Sequence, residues 1–240
     1  MWRVNRWTAI GSKTAAVCLA AALLFRGHAV ASDPAPANLM QITLERKTDS
    51  GVKTIEPQHV FNRGDTLHFR IQPAYDGYLY VLDLTTSGTY VLLFPRADTG
   101  RDNHVEHGRS YLVPSTEDGW FQIGGPAGHE TLYFVMSPSP LAPNPLPPAL
   151  PQGTPPANIK PRCDDALFRS RGECMDIGAG AQAVPPSLPL PGPVGALAKG
   201  ASRDLTFTQK GQSTEVTAGK TIRGPVVYEF LLAETVRPRC

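Results

Sequence analysis

The stretch of sequence that decides the fold class is YDGYLYVLDLTTSGTYVLLF, residues 75–94. Two apolar runs flank a Ser-Gly pair, and that glycine can supply the positive backbone angle of a hairpin turn. Side chains alternate between the two faces of a strand, so Tyr80 and Leu82 share one face of the first run. Leu79 and Val81 share the other face. Both faces are apolar, which predicts that the two runs are central strands of a sheet.

Further strands are predicted on both sides of this hairpin. The segments are short, contain β-branched or aromatic residues, and are separated by Gly, Pro, Asn or Asp. No segment after residue 31 has a helical period at length. These features predict an all-β protein, an antiparallel β-sandwich. The additional strand segments are 40–46, 66–72, 110–113, 120–123, 131–137, 204–209 and 226–234.

Residues 1–31 have the pattern of a secretory signal peptide. Basic residues precede an apolar run at 15–25, and the small residues AVA precede Ser32. The apolar run is too short to span a bilayer, because a spanning helix needs roughly 20 apolar residues. We therefore predict cleavage between Ala31 and Ser32, no membrane span in the mature chain, and a periplasmic or secreted protein.

Removal of the signal peptide changes the charge balance. The chain has 23 Lys and Arg against 21 Asp and Glu, and four of the basic residues but none of the acidic ones lie in 1–31, which leaves 19 against 21. A mature chain with this balance has no basic stripe that would release counterions from phosphates. The composition therefore predicts no nucleic-acid partner.

Proline divides the rest of the chain. Of the 24 prolines, 15 lie within 138–200. Proline cannot donate to a strand ladder, and proline runs favour solvated polyproline II. We predict a β-sandwich whose first part is 32–137, a Pro-rich insertion or linker at 138–200, and terminal strands in 201–240 that complete the sandwich. The insertion is a semi-rigid spacer or a ligand for an aromatic-lined partner domain.

Three segments in this order, VFNRGDTLHFRIQPAYDGYLYVLDLTTSGTYVLLFP, NHVEHGRSYLVP and FQIGGPAGHETLYFVMSPSP, resemble the bacterial family known as domain of unknown function 4384. The resemblance spans residues 60–140. It implies a β-rich accessory domain that is often exported, that is joined in other proteins to proteases, peptidases or kinases, and that has no catalytic residues. It implies nothing about the Pro-rich segment. The matching residues are Phe61, Gly64, Asp65, Asp76, Gly77, Tyr78, Tyr80, Phe94, Pro95, Gly108, Pro114, Gly125, Pro126 and Gly128.

The polar loop after the hairpin contains residues of types that bind metals, namely Asp98, Asp102, His104 and His107. His104 and His107 are three apart in a region without a helical pattern, and an extended backbone would direct them to opposite faces. The metalloprotease helix motif places its histidines four apart. We interpret the loop as a solvated connection, with a metal site as the alternative. We predict no catalytic residues, no metal and no cofactor.

Three cysteines follow the signal peptide: Cys163, Cys174 and Cys240. An oxidising compartment favours pairing two of them. Cys163 and Cys174 are close in sequence, so closing the loop between them costs little entropy, and we predict a disulfide there. Zinc is the rival, but the spacing lacks the close cysteine pairs of a structural zinc site. Cys240 is then free or links two chains as a dimer.

Together these observations favour an exported, non-enzymatic β-sandwich that binds another envelope or secreted protein. Two alternatives remain. One is an extracytoplasmic metal-assisted hydrolase centred on the His104 and His107 loop, and the other is a structural component of the envelope.

Overall fold

The computed structural model describes residues 37–96, 102–115, 118–141, 152, 159–163, 166 and 174–235. Nearly all of the regular structure in these residues is β-strand. The elements, in chain order, are β1 (Ala37–Thr48), β2 (Gly51–Ile55), β3 (Val60–Asn62), β4 (Thr66–Pro73), β5 (Gly77–Leu84), β6 (Tyr90–Phe94), β7 (His104–Val105), β8 (Tyr111–Val113), β9 (Phe121–Gln122), β10 (Gly128–Ser137), β11 (Gly180–Gln182), α1 (Gly192–Leu197), β12 (Leu205–Lys210), β13 (Ser213–Ala218) and β14 (Val226–Thr235).

The strands form two seven-stranded sheets that pack face to face, so the predicted β-sandwich is confirmed. Sheet 1 has the order β12-β13-β1-β4-β8, with β2 paired to β1 and β9 paired to β4. Sheet 2 has the order β11-β14-β10-β5-β6, with β3 paired to β14 and β7 paired to β5. The β3–β14 pair is parallel. The long strands of both sheets pair antiparallel, as in the contacts of β10 with β14 and β5.

The two strands of the opening hairpin have different places in sheet 2. β5 lies between β10 and β6 and is central, as its two apolar faces predict. The prediction that the second strand is also central is wrong, because β6 ends the strand order. Its apolar residues are covered by packing instead of by a further strand: Leu93 and Phe94 belong to the inter-sheet core, and Tyr90 packs on the outer face.

The inter-sheet core contains the inward-facing side chains of both sheets. Phe134 of β10 stacks on Tyr228 of β14 with ring centroids 5.0 Å apart, and it meets Phe69 of β4 edge to face at 5.7 Å. All three side chains are fully buried. Leu79 and Val81 of β5 face this same core, so the alternation read from the sequence is the one observed.

The outer face of sheet 2 is covered by residues from the Pro-rich segment. Val184, Val194 and Leu197 are buried in one cluster with Tyr80 and Leu82 of β5. From its proline content we predict that 138–200 is an insertion or linker, and the structure shows that residues within 184–197 also pack on the sheet. Apolar residues between the prolines cover the sheet, and a proline-containing chain can do so because it needs no ladder hydrogen bond from its nitrogen.

Cys163 and Cys174 form the expected disulfide, with their Cα atoms 5.0 Å apart. Cys174 packs against Val60 and Ala233, and its carbonyl accepts a hydrogen bond of 2.9 Å from the Val60 amide. The disulfide therefore fastens residues 159–163 to the side of sheet 2 where β3 pairs with β14. Cys240 lies outside the described residues.

Candidate functional site

In the described part of the predicted loop site, residues 102–107, the polar groups form hydrogen bonds that shape the loop. Asp102 accepts a hydrogen bond of 2.9 Å from the backbone amide of His104. The amide of His107 donates to the carboxylate of Asp76 over 2.7 Å. Asp98 lies outside the described residues. No three His, Cys, Asp or Glu side chains in the described ranges are grouped so that they could hold a metal ion.

We expect the double substitution His104→Ala and His107→Ala to change the free energy of unfolding by less than about 1 kcal/mol, because both side chains are exposed. Denaturant unfolding measures this change. The neighbouring Val105→Ala substitution is the control, since Val105 is fully buried and its truncation should cost about 2 kcal/mol. A loss of binding or of activity in the double variant, with the fold intact, would restore the loop as a functional site.

A groove lies on the outer face of sheet 2, beside the disulfide. One wall comes from β10 and β14, and the other comes from the two chain segments that the disulfide joins. Its cavity volume is about 440 Å³, and most of its lining is apolar. The groove is lined by His129, Thr131, Ile159, Lys160, Arg162, Asp176, Ile177, Gly178 and Leu231.

His129 and Asp176, both in the lining of the groove, contact each other. Nε2 of His129 lies 3.2 Å from Oδ2 of Asp176, and Nδ1 lies 3.2 Å from the carbonyl oxygen of Ile159. Both oxygens can accept hydrogen bonds, so each ring nitrogen of His129 has a polar partner in this arrangement. Asp176 also accepts from the amides of Arg162 at 2.7 Å and Gly178 at 2.9 Å. The pair fixes the disulfide segment against β10.

A second group of ionisable side chains lies at one end of the inter-sheet core. Asp83 of β5, Glu130 of β10 and Glu234 of β14 are each at most 6% exposed. They continue the inward-facing alternation of their strands, and the register brings the ends of those strands together. Oδ1 of Asp83 has no hydrogen-bond partner in the described structure. These carboxyls share a buried site.

Burial raises the pKa of all three carboxyls. The pKa of Asp83 is raised by burial and by Glu234, and that of Glu130 by burial and by the charges of Asp83 and Glu234. Burial raises the pKa of Glu234 to about 7, although a hydrogen bond from Thr86 and the charge of Arg63 lower it. At neutral pH the group therefore keeps protons that exposed carboxyls release.

A third polar cluster lies on the outer face of sheet 1. Glu45 accepts hydrogen bonds from Arg70 at 2.9 and 3.0 Å, and it also bonds the buried ring of His68. Burial raises the pKa of Glu45, but the bonds and charges of Arg70 and His68 outweigh burial, and the net pKa is lowered. His68 stacks on Trp120 with centroids 3.9 Å apart. The cluster ties β1, β4 and the segment before β9.

Sequence reasoning did not identify the groove. The sequence feature that could have indicated the groove is the pair of segments that flank the two cysteines. Ile159, Lys160 and Arg162 precede Cys163, and the sequence MDIG follows Cys174. A disulfide brings such flanks together, and this places aliphatic and basic side chains side by side. His129 has no comparable signal, because the glycines around it indicate only a turn before a strand.

The fold and the groove define a class of protein: a disulfide-containing β-sandwich with an apolar groove on the outer face of one sheet. Residues 60–140 match the family model described as Domain of unknown function (DUF4384), which confirms the resemblance over that stretch. It runs from β3 to just beyond β10. Searches of the curated proteins and of the solved structures gave no match.

The family stretch supplies only part of the groove. His129 and Thr131 lie within it, whereas Leu231 and the residues from 159 to 178 lie outside it. Among the described residues, no helix has the length and apolar character needed to cross a membrane.

Proposed function

We propose that this protein is an exported, non-enzymatic accessory module that binds another envelope or secreted protein through the groove. The observation that carries the proposal is the placement of exposed apolar side chains. Four large apolar side chains stand out as exposed among the described residues, and two of them, Ile159 (60%) and Ile177 (67%), line the groove. Exposed apolar residues that gather at a concave surface are typical of a binding site.

The proposed location outside the cytoplasm has two supports. The first is the signal-peptide pattern of residues 1–31. The second is the Cys163–Cys174 disulfide, since structural disulfides form and persist in oxidising compartments. The bridge also holds one wall of the groove, so a compartment that keeps it oxidised keeps the binding surface assembled.

Site-specific photo-crosslinking tests the proposed function. A photo-reactive amino acid in place of Ile177, in the full chain within the cells that make it, should give a discrete adduct with a second protein. Val52 is the matched control, because it is similarly exposed (58%) but lies on β2 of the other sheet. Absence of an adduct from position 177, or the same adducts from both positions, would count against a docking site in the groove.

A further inference from the structure

The charges at the mouth of the groove indicate what kind of segment it receives, and this inference rests on the proposed function. Lys160 and Arg162 line the groove and are exposed. Neither side chain forms an ion pair with a residue that the structure describes. Two cationic groups are thus directed to solvent beside an apolar surface.

The acidic residue of the groove cannot neutralise these cations. Asp176 is the one carboxylate in the described lining, and its side chain is only 6% exposed. Its Oδ1 accepts from Gly178, and its Oδ2 accepts from the Arg162 amide and faces His129. Lys160 and Arg162 outnumber this one carboxylate, so the net charge of the described lining is positive.

The interior of the groove suits apolar side chains. Leu231 contributes from β14, and Ile159 and Ile177 contribute from the disulfide segments. The cavity volume of about 440 Å³ lies within the range of roughly 300–1,000 Å³ that is typical of ligand pockets. One or two aliphatic or aromatic side chains would occupy it and exclude water from both isoleucines.

We propose that the partner presents a short acidic segment, in which one or two large apolar side chains are flanked by Asp or Glu. The apolar side chains enter the groove and the carboxylates contact Lys160 and Arg162. Such complementarity raises the association rate and discriminates against basic segments, because like charges at the mouth repel.

Selection from a library of random short peptides tests this proposal without knowledge of the partner. The disulfide-bonded mature protein should enrich peptides with Asp or Glu next to Leu, Ile or Phe. The charge-reversed variant Lys160→Glu with Arg162→Glu should lose that acidic preference. The variant Lys199→Glu with Lys220→Glu makes the same change in net charge at exposed positions outside the groove, and it should retain the preference.

Affinity measurements on one enriched peptide complete the test. We expect the Lys160→Glu and Arg162→Glu variant to bind it at least about tenfold more weakly, and high salt to weaken wild-type binding. Enrichment of neutral or basic apolar peptides that Ile159→Asp with Ile177→Asp abolishes would overturn the acidic segment and leave the proposed function standing. Enrichment of nothing, or of peptides that the isoleucine variant retains, would refute the proposed function itself. Binding of dodecanoate in place of any peptide would replace the protein segment by a small amphipathic anion.

Discussion

Raising the pH from about 5 to about 9 should lower the free energy of unfolding of this protein by about 3 kcal/mol or more. The cause is the set of three buried carboxyls, those of Asp83, Glu130 and Glu234, at one end of the core. The pKa of Glu234 is about 7 in the fold and 4.5 in an exposed chain. Between these two pH values the folded state holds a proton that the unfolded state has released, so stability falls as the pH rises. Denaturant unfolding followed by the fluorescence of Trp120 measures the slope.

Substitutions identify the group that is responsible. Glu130→Gln keeps the shape of the side chain but cannot ionise, so it should make the protein more stable than the wild type at high pH and flatten the pH dependence. Glu106→Gln is the control, because Glu106 is exposed and paired with Arg109 at the surface. A wild-type stability that is constant over this pH range would contradict protonated carboxyls in the core.

The acid side of the pH profile has a different origin. The pKa of Glu45 is lowered in the fold, so the stability it contributes is present above its unfolded value of 4.5 and is lost as the pH falls through the folded value. The two effects have opposite signs. The free energy of unfolding should therefore be largest at a pH between two ranges: the acidic range where Glu45 becomes protonated, and the higher range where the buried carboxyls ionise.

Phe134→Ala should cost about 3–5 kcal/mol of the free energy of unfolding, the range for truncating a buried phenylalanine. Phe134 is fully buried and lies between the two sheets. Its ring contacts Tyr228, Phe69 and Phe230, so truncation leaves a cavity lined by aromatic rings. Equilibrium unfolding in denaturant measures the loss.

Two further variants provide comparisons for the effect of Phe134→Ala. Leu82→Ala should cost roughly 2–5 kcal/mol, because the Pro-rich segment buries Leu82 on the opposite face of sheet 2. Val52→Ala should change stability by less than about 0.5 kcal/mol, since Val52 is exposed. If Leu82→Ala cost no more than Val52→Ala, the cover over the outer face would not be packed in solution.

Much of the fold could be predicted from local sequence patterns. The doubly apolar run of β5 indicates a central strand, and the alternation of β4 indicates a half-buried one. β13 has the sequence STEVTA, with little apolar character, and it is a strand because it pairs with β1 and β12. β11 is similarly short and depends on β14. Pairing with distant residues leaves no local signal, and these strands could not be predicted.

The site was less predictable for a related reason. The loop with His104 and His107 can be singled out as a candidate site from sequence, because its polar residues lie within a few positions of one another. The groove is assembled from Thr131, Ile159, Ile177 and Leu231, which are far apart in sequence and unremarkable by type. The proline count also conceals the packing of α1, since residue composition does not distinguish a solvated proline run from one that covers an apolar sheet.

Because β14 is central in sheet 2, that sheet cannot form fully until β14 has been synthesised. β14 follows every other described strand in the sequence, yet it lies between β10 and β11 and also pairs with β3. Until residues 226–235 have been synthesised, β10 has an open edge, and the aromatic cluster lacks Tyr228 and Phe230. An open apolar edge invites pairing with other chains. We therefore expect the stretch 60–140 produced alone to be prone to aggregation, because it lacks the strand that covers this edge of β10.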